Sequence, residues 1–384
     1  MKRVVINKKA AAALRSFFPW VYRSDILTKD DFEPGELVEI TDESGVFLGF
    51  GYINPKSVIT IRVLTFKNEP INREFFKKKI QKASQKRVDI PSNAYRVVHS
   101  EADFLPGLIV DRYGDYLSVL ILSYGMMRFK EDIEDILLEL FAPAGMVVTT
   151  QEAMAKKEGF DYFKNIIGQV DKTVIEENGV KFEVDLLNSQ KTGFFLDQRK
   201  NRKILSDYVK QKDRVLDCFS NTGGFGLYAA KLKGAYAVEV DISPQAIEQA
   251  RRNFELNGVE GEFVVANVFD YLRQIRKERF DMVVLDPPSF VKSRAKKAQA
   301  LKGFKDITVN GMKVVEEGGY LALFSCSHHI GMEDLKEILL KAAKDNKKVV
   351  EVVEHLYQDI DHPYILNIPN SLYLTGLLCR VGSI

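Results

Sequence analysis

The spacing of apolar residues changes character along the chain. GELVEITDESGVFLGFGYINPKSVITIRVLTF (35–66) alternates apolar and polar positions, with turn signals at Glu43–Gly45 and Asn54–Pro55. That period of two predicts short strands in a small β-rich domain spanning 1–70. INREFFKKKIQKASQKR (71–87) then switches to helical spacing, with Ile71, Phe75, Phe76 and Ile80 on one side. YRVVHSEADFLPGLIVDRYGDYLSVLILS predicts two or three strands. FKEDIEDILLELF predicts a helix carrying Ile133, Ile136, Leu137 and Leu140 on its apolar face. VIEENGVKFEVDL predicts a hairpin, because Asn178–Gly179 suits a type I′ turn. These elements form an α+β middle domain over 71–185. From about residue 200, strands at RVLDCF, YAVEVD, GEFVVAN, FDMVVLD and GYLALFSC alternate with helices. Continuous apolar strands at this period predict a parallel, doubly wound α/β sheet covered on both faces. The third domain is assigned to 186–384. Ligands of such sheets bind at the carboxyl ends of the strands.

Composition narrows the function classes. The chain has 384 residues, 46% hydrophobic and 28% charged, which is an ordinary balance for a soluble globular protein of two or three domains. The net charge of +2 gives no global signal for nucleic acid, so local clusters matter more. Lys77, Lys78, Lys79, Lys82, Lys86 and Arg87 form one acid-free basic stretch. Lys292, Arg294, Lys296, Lys297, Lys302 and Lys305 in VKSRAKKAQALKGFK form a second. Each reads either as a solvated face or as a phosphate contact. The three cysteines, Cys218, Cys326 and Cys379, have neither disulfide-framework nor zinc spacing, which predicts a reducing, cytoplasmic setting and no metal. MKRVVINKKAAAALRSF lacks an apolar core before a cleavage site, and no apolar run approaches membrane length. No membrane association is expected.

The strand ends carry the candidate chemistry. The first ends DCFSNTGGFGLYAA, where Gly223, Gly224 and Gly226 make a tight turn into a helix. The spacing matches neither G-x-G-x-x-G nor a Walker loop, which argues against NAD and ATP. Glycines there predict close approach of a ligand to the backbone. Asp217 would repel a pyrophosphate but suits a cationic amino-acid tail, which points to S-adenosylmethionine (SAM). Asp241, ending the second strand, suits two ribose hydroxyls, although it also reads as a helix cap, a role Ser243 could fill instead. Asn267, at the third strand end, suits an adenine edge. Asp286 leaves the fourth strand on the stiff turn made by Pro287 and Pro288, and suits the amidine edge of a base. Cys326, in LALFSCSHHIG, reads either as a core thiol or as a nucleophile beside His328 and His329.

DCFSNTGGFGLYAA, VEVDIS, DPPSF and SCSHH, in this order, resemble the bacterial 23S ribosomal RNA 5-methylcytosine methyltransferases of the PUA–Rossmann type. QKTGFFLDQRKNR (190–202) is similar to that family's cofactor-flanking segment. FPWVYRSDI and GFGYINPKSVITIRVL resemble its N-terminal PUA domain, and EADFLPGLIVDRYGDYLSV its middle domain, so the resemblance covers nearly the whole chain. It implies a class I methyltransferase fold behind a PUA domain, SAM as cofactor and 23S ribosomal RNA as partner, with a homodimer as the assembly. Carried onto this sequence, Cys326 becomes the nucleophile and Asp286 the holder of cytosine N3 and N4. Asp217, Asn221, Thr222, Gly223, Gly224 and Asp241 line the SAM pocket, and Phe195 and Gln198 close it. Two departures stand out. The family usually has an acid where Asn267 stands, and many RNA 5-methylcytosine enzymes place a second cysteine in the DPP motif, where this chain has Ser289. Two other functions fit parts of the pattern: nitrogen methylation of RNA, which needs no thiol, and a non-catalytic ribosome assembly factor.

Overall fold

The computed structural model describes residues 1–188, 193–275, 277–289 and 296–383. The chain forms two compact units, one of Met1–Ile175, Val184–Leu196 and Ile360–Ser371, the other of Glu176–Glu183, Asp197–Asp359 and Leu372–Ile384.

The first unit holds two five-stranded sheets. One has the order Lys2–Val5, Glu36–Thr41, Phe47–Ile53, Ile59–Thr65, Trp20–Tyr22. The other runs Lys164–Gly168, Gly145–Thr149, Tyr116–Ile121, Leu108–Tyr113, Ala94–His99. The alternation read between 35 and 66 is thus three neighbouring strands. Helix Arg73–Gln85 begins one turn inside the predicted segment, capped by Asn72, whose side chain accepts from Phe75 N at 3.0 Å. It buries Phe75, Phe76, Ile80 and Ala83 in the core of the second sheet.

Part of the basic stretch on this helix is committed to the fold. Arg87 is buried and grips both Asp103 oxygens at 2.9 and 2.6 Å, and Lys86 joins Asp103 at 2.9 Å. Lys77 pairs with Glu139, and Lys79 is half-buried, donating to Leu64 O at 2.7 Å. Burial lowers the Lys79 ammonium to a pKa of about 8, helped by Lys82, Lys86 and Lys67 and opposed by Glu69. Lys78 and Lys82 are exposed, and Lys78 stands 3.8 Å from Glu74. Of the stretch 77–87, Arg87 and Lys79 are thus committed to the fold, while Lys78, Lys82 and Lys86 stay exposed.

The hairpin predicted around Asn178–Gly179 forms from Thr173–Glu177 and Val180–Val184, with φ of 51° and 80° at the two turn residues, as a type I′ turn requires. The second unit is built on seven strands: β1 (Arg214–Cys218), β2 (Tyr236–Asp241), β3 (Gly261–Val265), β4 (Phe280–Leu285), β5 (Val315–Ser325), β6 (Val349–Tyr357) and β7 (Thr375–Gly382). Their spatial order is β3-β2-β1-β4-β5-β7-β6. β1 to β5 are parallel, and β7 is antiparallel to both neighbours. The helices are α1 (Arg199–Asp207), α2 (Gly224–Lys233), α3 (Pro244–Asn257), α4 (Val268–Gln274), α5 (Lys297–Lys313) and α6 (Met332–Asn346).

Cores lie on both faces of the sheet, as continuous apolar strands demand. Leu216, Cys218, Val238, Val240, Val283 and Leu285 join α4, α5 and α6 on one side. Val215, Val284, Ala322 and Phe324 join α1 and α2 on the other. The order reverses at β1, so a crevice opens at the carboxyl ends of β1 and β4. The basic segment after DPPSF is helical from Lys297. Lys297 pairs with Asp334 at 2.9 Å and Lys305 with Asp345 at 2.8 Å. Lys292 and Arg294 lie outside the described residues.

Candidate active site

Every strand-end residue picked from the sequence in the second unit sits at the carboxyl edge of the sheet or in the turn after it. After β1 the chain adopts the left-handed region at Phe219, Asn221 and Gly223, with φ of 62°, 48° and 78°. Such conformations concentrate at functional sites because the surroundings must hold them. Here the holders are visible. Asn221 N donates to Asp241 Oδ2 at 3.0 Å, Asn253 Nδ2 donates to Thr222 O at 3.0 Å, and Ser220 N donates to Val240 O at 3.1 Å.

The glycines are also tightly packed on their Cα side. A Cβ on Gly223 would approach Ala250 Cβ to 3.0 Å, one on Gly224 would approach Arg202 Cδ to 3.1 Å, and one on Gly226 would fall 1.9 Å from Glu239 Oε1. The room they leave on that side is filled by the chain's own side chains, so packing alone already requires glycine at these positions.

Asp217 is buried, and its Oδ2 accepts from Phe225 N and Gly226 N, both at 3.1 Å, in the first turn of α2. Burial raises this carboxyl to a pKa of about 7, against the two N–H donors. Asp241 is half-buried. Its Oδ1 accepts from Ser243 N at 2.9 Å while Ser243 itself caps α3, accepting from Ala246 N at 3.2 Å. Each Asp241 oxygen takes one backbone N–H, and a carboxylate oxygen has a second acceptor site. Asn267 is exposed and caps α4, its Oδ1 accepting from Phe269 N at 2.9 Å. Phe195 is 44% exposed and belongs to the first unit.

Asp286 stands at the end of β4, half-buried. Gln198 Nε2 donates to its Oδ2 at 3.0 Å, and Asn201 Nδ2 in turn donates to Gln198 Oε1 at 2.6 Å. Burial raises the Asp286 carboxyl to a pKa of about 7. Nearby Asp197 and Asp217 push the same way, while Gln198 and Arg202 oppose them. Asp197 accepts from Tyr373 Oη at 2.6 Å, and Arg199 Nε stands 2.8 Å from Asp359.

Cys326 follows β5 directly and is half-buried against the core that includes Val284, Ala322 and Phe324, whereas Cys218 and Cys379 are wholly buried. Burial drives the Cys218 thiol well above its usual pKa and lifts Cys379 to about 12, which makes both inert core thiols. β4 and β5 are neighbours in register, Leu285 opposite Leu323. Cys326 therefore leaves the sheet two residues, or about 7 Å, beyond the level of Asp286 on the adjacent strand. The flanking serines fix this turn. Ser325 Oγ donates to Ile330 O at 3.0 Å, and His329 N donates to Ser327 Oγ at 3.2 Å. His328 is exposed beside the Tyr373 ring at 6.4 Å. Partial burial and the neighbouring His329 push its pKa down, against a hydrogen bond the ring donates to the Leu372 backbone carbonyl.

Glu239, Asn201, Asp197, Tyr373, Asn253 and Ser325 were not foreseen. Only Glu239 left a sequence signal, a charged residue inside the apolar run YAVEVD.

The donor set suits SAM. Carboxyls lie at the ends of β1, β2 and β4 for a cationic ligand bearing ribose hydroxyls, and Asp241 keeps acceptor capacity for that ribose. No cluster that could hold a metal ion occurs among the described residues, and no helix among them is long and apolar enough to cross a membrane.

Comparison with known proteins agrees with this chemistry. A family model described as a PUA-like domain matches residues 4–66, and one described as an S-adenosylmethionine-dependent methyltransferase matches residues 165–368. Ribosomal RNA large subunit methyltransferase I of Vibrio cholerae is 39% identical, covering 98% of this chain and 99% of the relative. The protein of the same name from Pseudoalteromonas atlantica is 36% identical over 99% of both chains. Among solved structures, SMU.776, described as a methyltransferase and crystallised with SAH, aligns with a TM-score of 0.86 at 20% identity, over 99% of this chain and 100% of that one. With end-to-end relatives of this similarity and a methyltransferase family model spanning more than half of its length, the chain belongs to the SAM-dependent ribosomal RNA large subunit methyltransferase I family, a PUA-like domain joined to a class I methyltransferase fold, and SAM is its cofactor.

Proposed function

We propose that this protein methylates C5 of a cytosine in 23S ribosomal RNA, with Cys326 as the nucleophile and Asp286 as the group that holds the base. The observation that carries the reading is the placement of one half-buried thiol and one proton-poised carboxyl at the carboxyl ends of adjacent strands, β5 and β4, while the other two cysteines are sealed in the core. The relatives' name supports ribosomal RNA as the substrate, and the PUA-like domain supports RNA binding. The three-part division at residues 70 and 185 and assembly as a homodimer belong to the same proposal.

C5 of cytosine is a weak nucleophile while the ring is aromatic. Addition of the Cys326 thiolate to C6 breaks that aromaticity and gives C5 enamine character. Asp286, protonated or sharing a proton with N3, balances the charge that builds on the ring, and its second oxygen accepts from the N4 amino group. Gln198, held by Asn201, keeps the carboxyl aimed. SAM, when bound, supplies an electrophilic methyl group. Loss of the C5 proton and departure of the Cys326 sulfur then restore the aromatic ring. Asp241 and Asn267 would hold the ribose and adenine, and Thr222, Gly223 and Gly224 the remainder of the cofactor, with Gln198 closing the pocket. A base inside a helix must leave its stack to reach the thiol.

Mass spectrometry of 23S ribosomal RNA from a strain lacking this gene tests the proposal. One 5-methylcytosine should vanish and return with the wild-type gene but not with Cys326→Ala. Loss of a nitrogen-methylated base instead, or rescue by Cys326→Ala, would refute it.

A further inference from the structure

Glu239 is wholly buried on β2, and the chemistry above makes no use of it. In the β1–β2 register it stands opposite Asp217, so the two side chains leave the same face of the sheet, beneath α2. Its Oε1 occupies the space that only a glycine at 226 leaves open. Asp217 has committed Oδ2 to the N–H groups of Phe225 and Gly226.

The surroundings hold little to neutralise two anions. Neither carboxyl forms an ion pair among the described residues. β1 adds Cys218, the turn adds the Ser220 hydroxyl, and β2 adds Asp241. Asp286 on β4 lies near enough to Asp217 to feel its charge. Arg202 of α1 lies against Gly224 and is paired with Glu177 at 2.6 Å. α3 presents the uncharged Ala250 and Phe254 near Gly223. Asp217 Oδ1 and both Glu239 oxygens are buried with no donor among the described residues; two buried carboxyls side by side on paired strands are not both ionised, so one proton is shared between them. Asp217 already accepts from two N–H groups, a role for the ionised partner, which leaves the proton on Glu239.

We propose that Glu239 is a positioning residue that works as a neutral acid: its carboxyl O–H donates to Asp217 and fixes the carboxylate that ties down the first turn of α2, and with it the cofactor turn 219–226. This rests on reading that turn as the SAM site. Glutamine copies the shape and the donor of a protonated glutamate; alanine copies neither.

The test uses the full-length chain carrying Glu239→Gln or Glu239→Ala. SAM affinity is read by calorimetry and the thermal midpoint at pH 5.5 and 8.5. A carboxyl whose pKa rises on folding binds more protons folded than unfolded. Wild-type stability therefore falls as pH climbs from the ordinary carboxyl value toward the folded one, and glutamine has no such loss. Relative to wild type, E239Q should gain thermal midpoint between pH 5.5 and 8.5 and keep SAM affinity within about threefold. E239A, which leaves a buried acceptor without its donor, should lose about tenfold or more in SAM affinity. The proposal is overturned if E239Q weakens SAM as much as E239A does, or if the E239Q offset from wild type is the same at both pH values. If E239A does not fold, the E239Q pH offset decides alone. A wild-type chain that binds no SAM but shows that pH-dependent offset would keep the proton on Glu239 and refute the cofactor site instead.

Discussion

Replacing Gln198 with methionine keeps the volume of the side chain and removes the N–H that Asp286 accepts at 3.0 Å. A hydrogen bond to a charged acceptor is worth about 1.5–3 kcal/mol, and one pKa unit corresponds to about 1.4 kcal/mol. Its loss should therefore raise the Asp286 carboxyl from about 7 by roughly one to two units, to about 8–9. If Asp286 works in its protonated form, wild-type methylation declines as pH rises through about 7, and the Q198M profile should hold its plateau one to two pH units further. Single-turnover methylation at saturating SAM, measured from pH 6 to about 9.5, reads the limb directly. The absolute rate of the variant is expected to fall, because the carboxyl loses an orienting contact and Asn201 loses the acceptor it reaches at 2.6 Å. The position of the limb, not the height of the plateau, tests the reasoning. An unmoved limb would mean that another group sets it, and a limb moved to lower pH would contradict the assignment of Gln198 as a stabiliser of the charged form.

Four further outcomes are expected. Cys326→Ala should abolish methylation while leaving SAM binding unchanged by calorimetry. Cys218→Ala and Cys379→Ala should retain turnover and lose only thermal stability, because both thiols are core groups. Gly226→Ala should destabilise the protein by about 1–2 kcal/mol in denaturant melts, because overpacking against Glu239 Oε1, at 1.9 Å, outweighs the gain of about 1 kcal/mol for alanine over glycine in a helix; an unchanged midpoint would refute that packing account. Asp103→Ala should cost about 3–5 kcal/mol by stranding buried Arg87. Burial pushes the Asp103 carboxyl up, yet Arg87 and Lys86 hold it below its usual pKa, so its stabilising effect is present above about pH 4 and fades as pH drops through the folded value, which an acid melt of this variant against wild type should reveal.

The elements were the most legible part of the sequence. A period of two or of helical spacing records which face of an element is buried, so the strands of 35–66, the helix near 73–85 and the alternation after 200 could be read residue by residue. Asn178–Gly179 announced its turn because few other pairs take positive φ twice in succession. Cationic stretches were less readable. A run such as 77–87 looks the same in sequence whether its charges face phosphate or carboxylates far along the chain. Arg87 finds Asp103, and Lys77 finds Glu139, only once the first unit has closed.

The site shows where sequence reasoning stops. Asp217, Asp241, Asn267, Asp286 and Cys326 could be found because topology alone carries strand-end residues to one edge of a parallel sheet. Their supports could not. Gln198 reaches Asp286 from the turn just before α1 and is itself held by Asn201 of α1, and Tyr373 reaches Asp197 from just ahead of β7. Only the register and the order β1-β4-β5-β7 bring those segments together. The supports also decide what the strand-end acids can do. An isolated aspartate at pH 7 is an anion and nothing more, whereas Asp286 is held near neutrality by burial, Asp197 and Asp217. Acids gathered at one sheet edge raise one another's pKa, so the same crowding that suits a cationic cofactor also keeps a proton available for the base. That coupling gives a sharp consequence: Asp197→Asn, which removes one neighbouring charge without touching Asp286, should lower the Asp286 pKa and pull the alkaline limb of methylation toward lower pH, opposite in sign to Gln198→Met. Limbs that moved in the same direction in both variants would show that Asp286 is not the group being titrated.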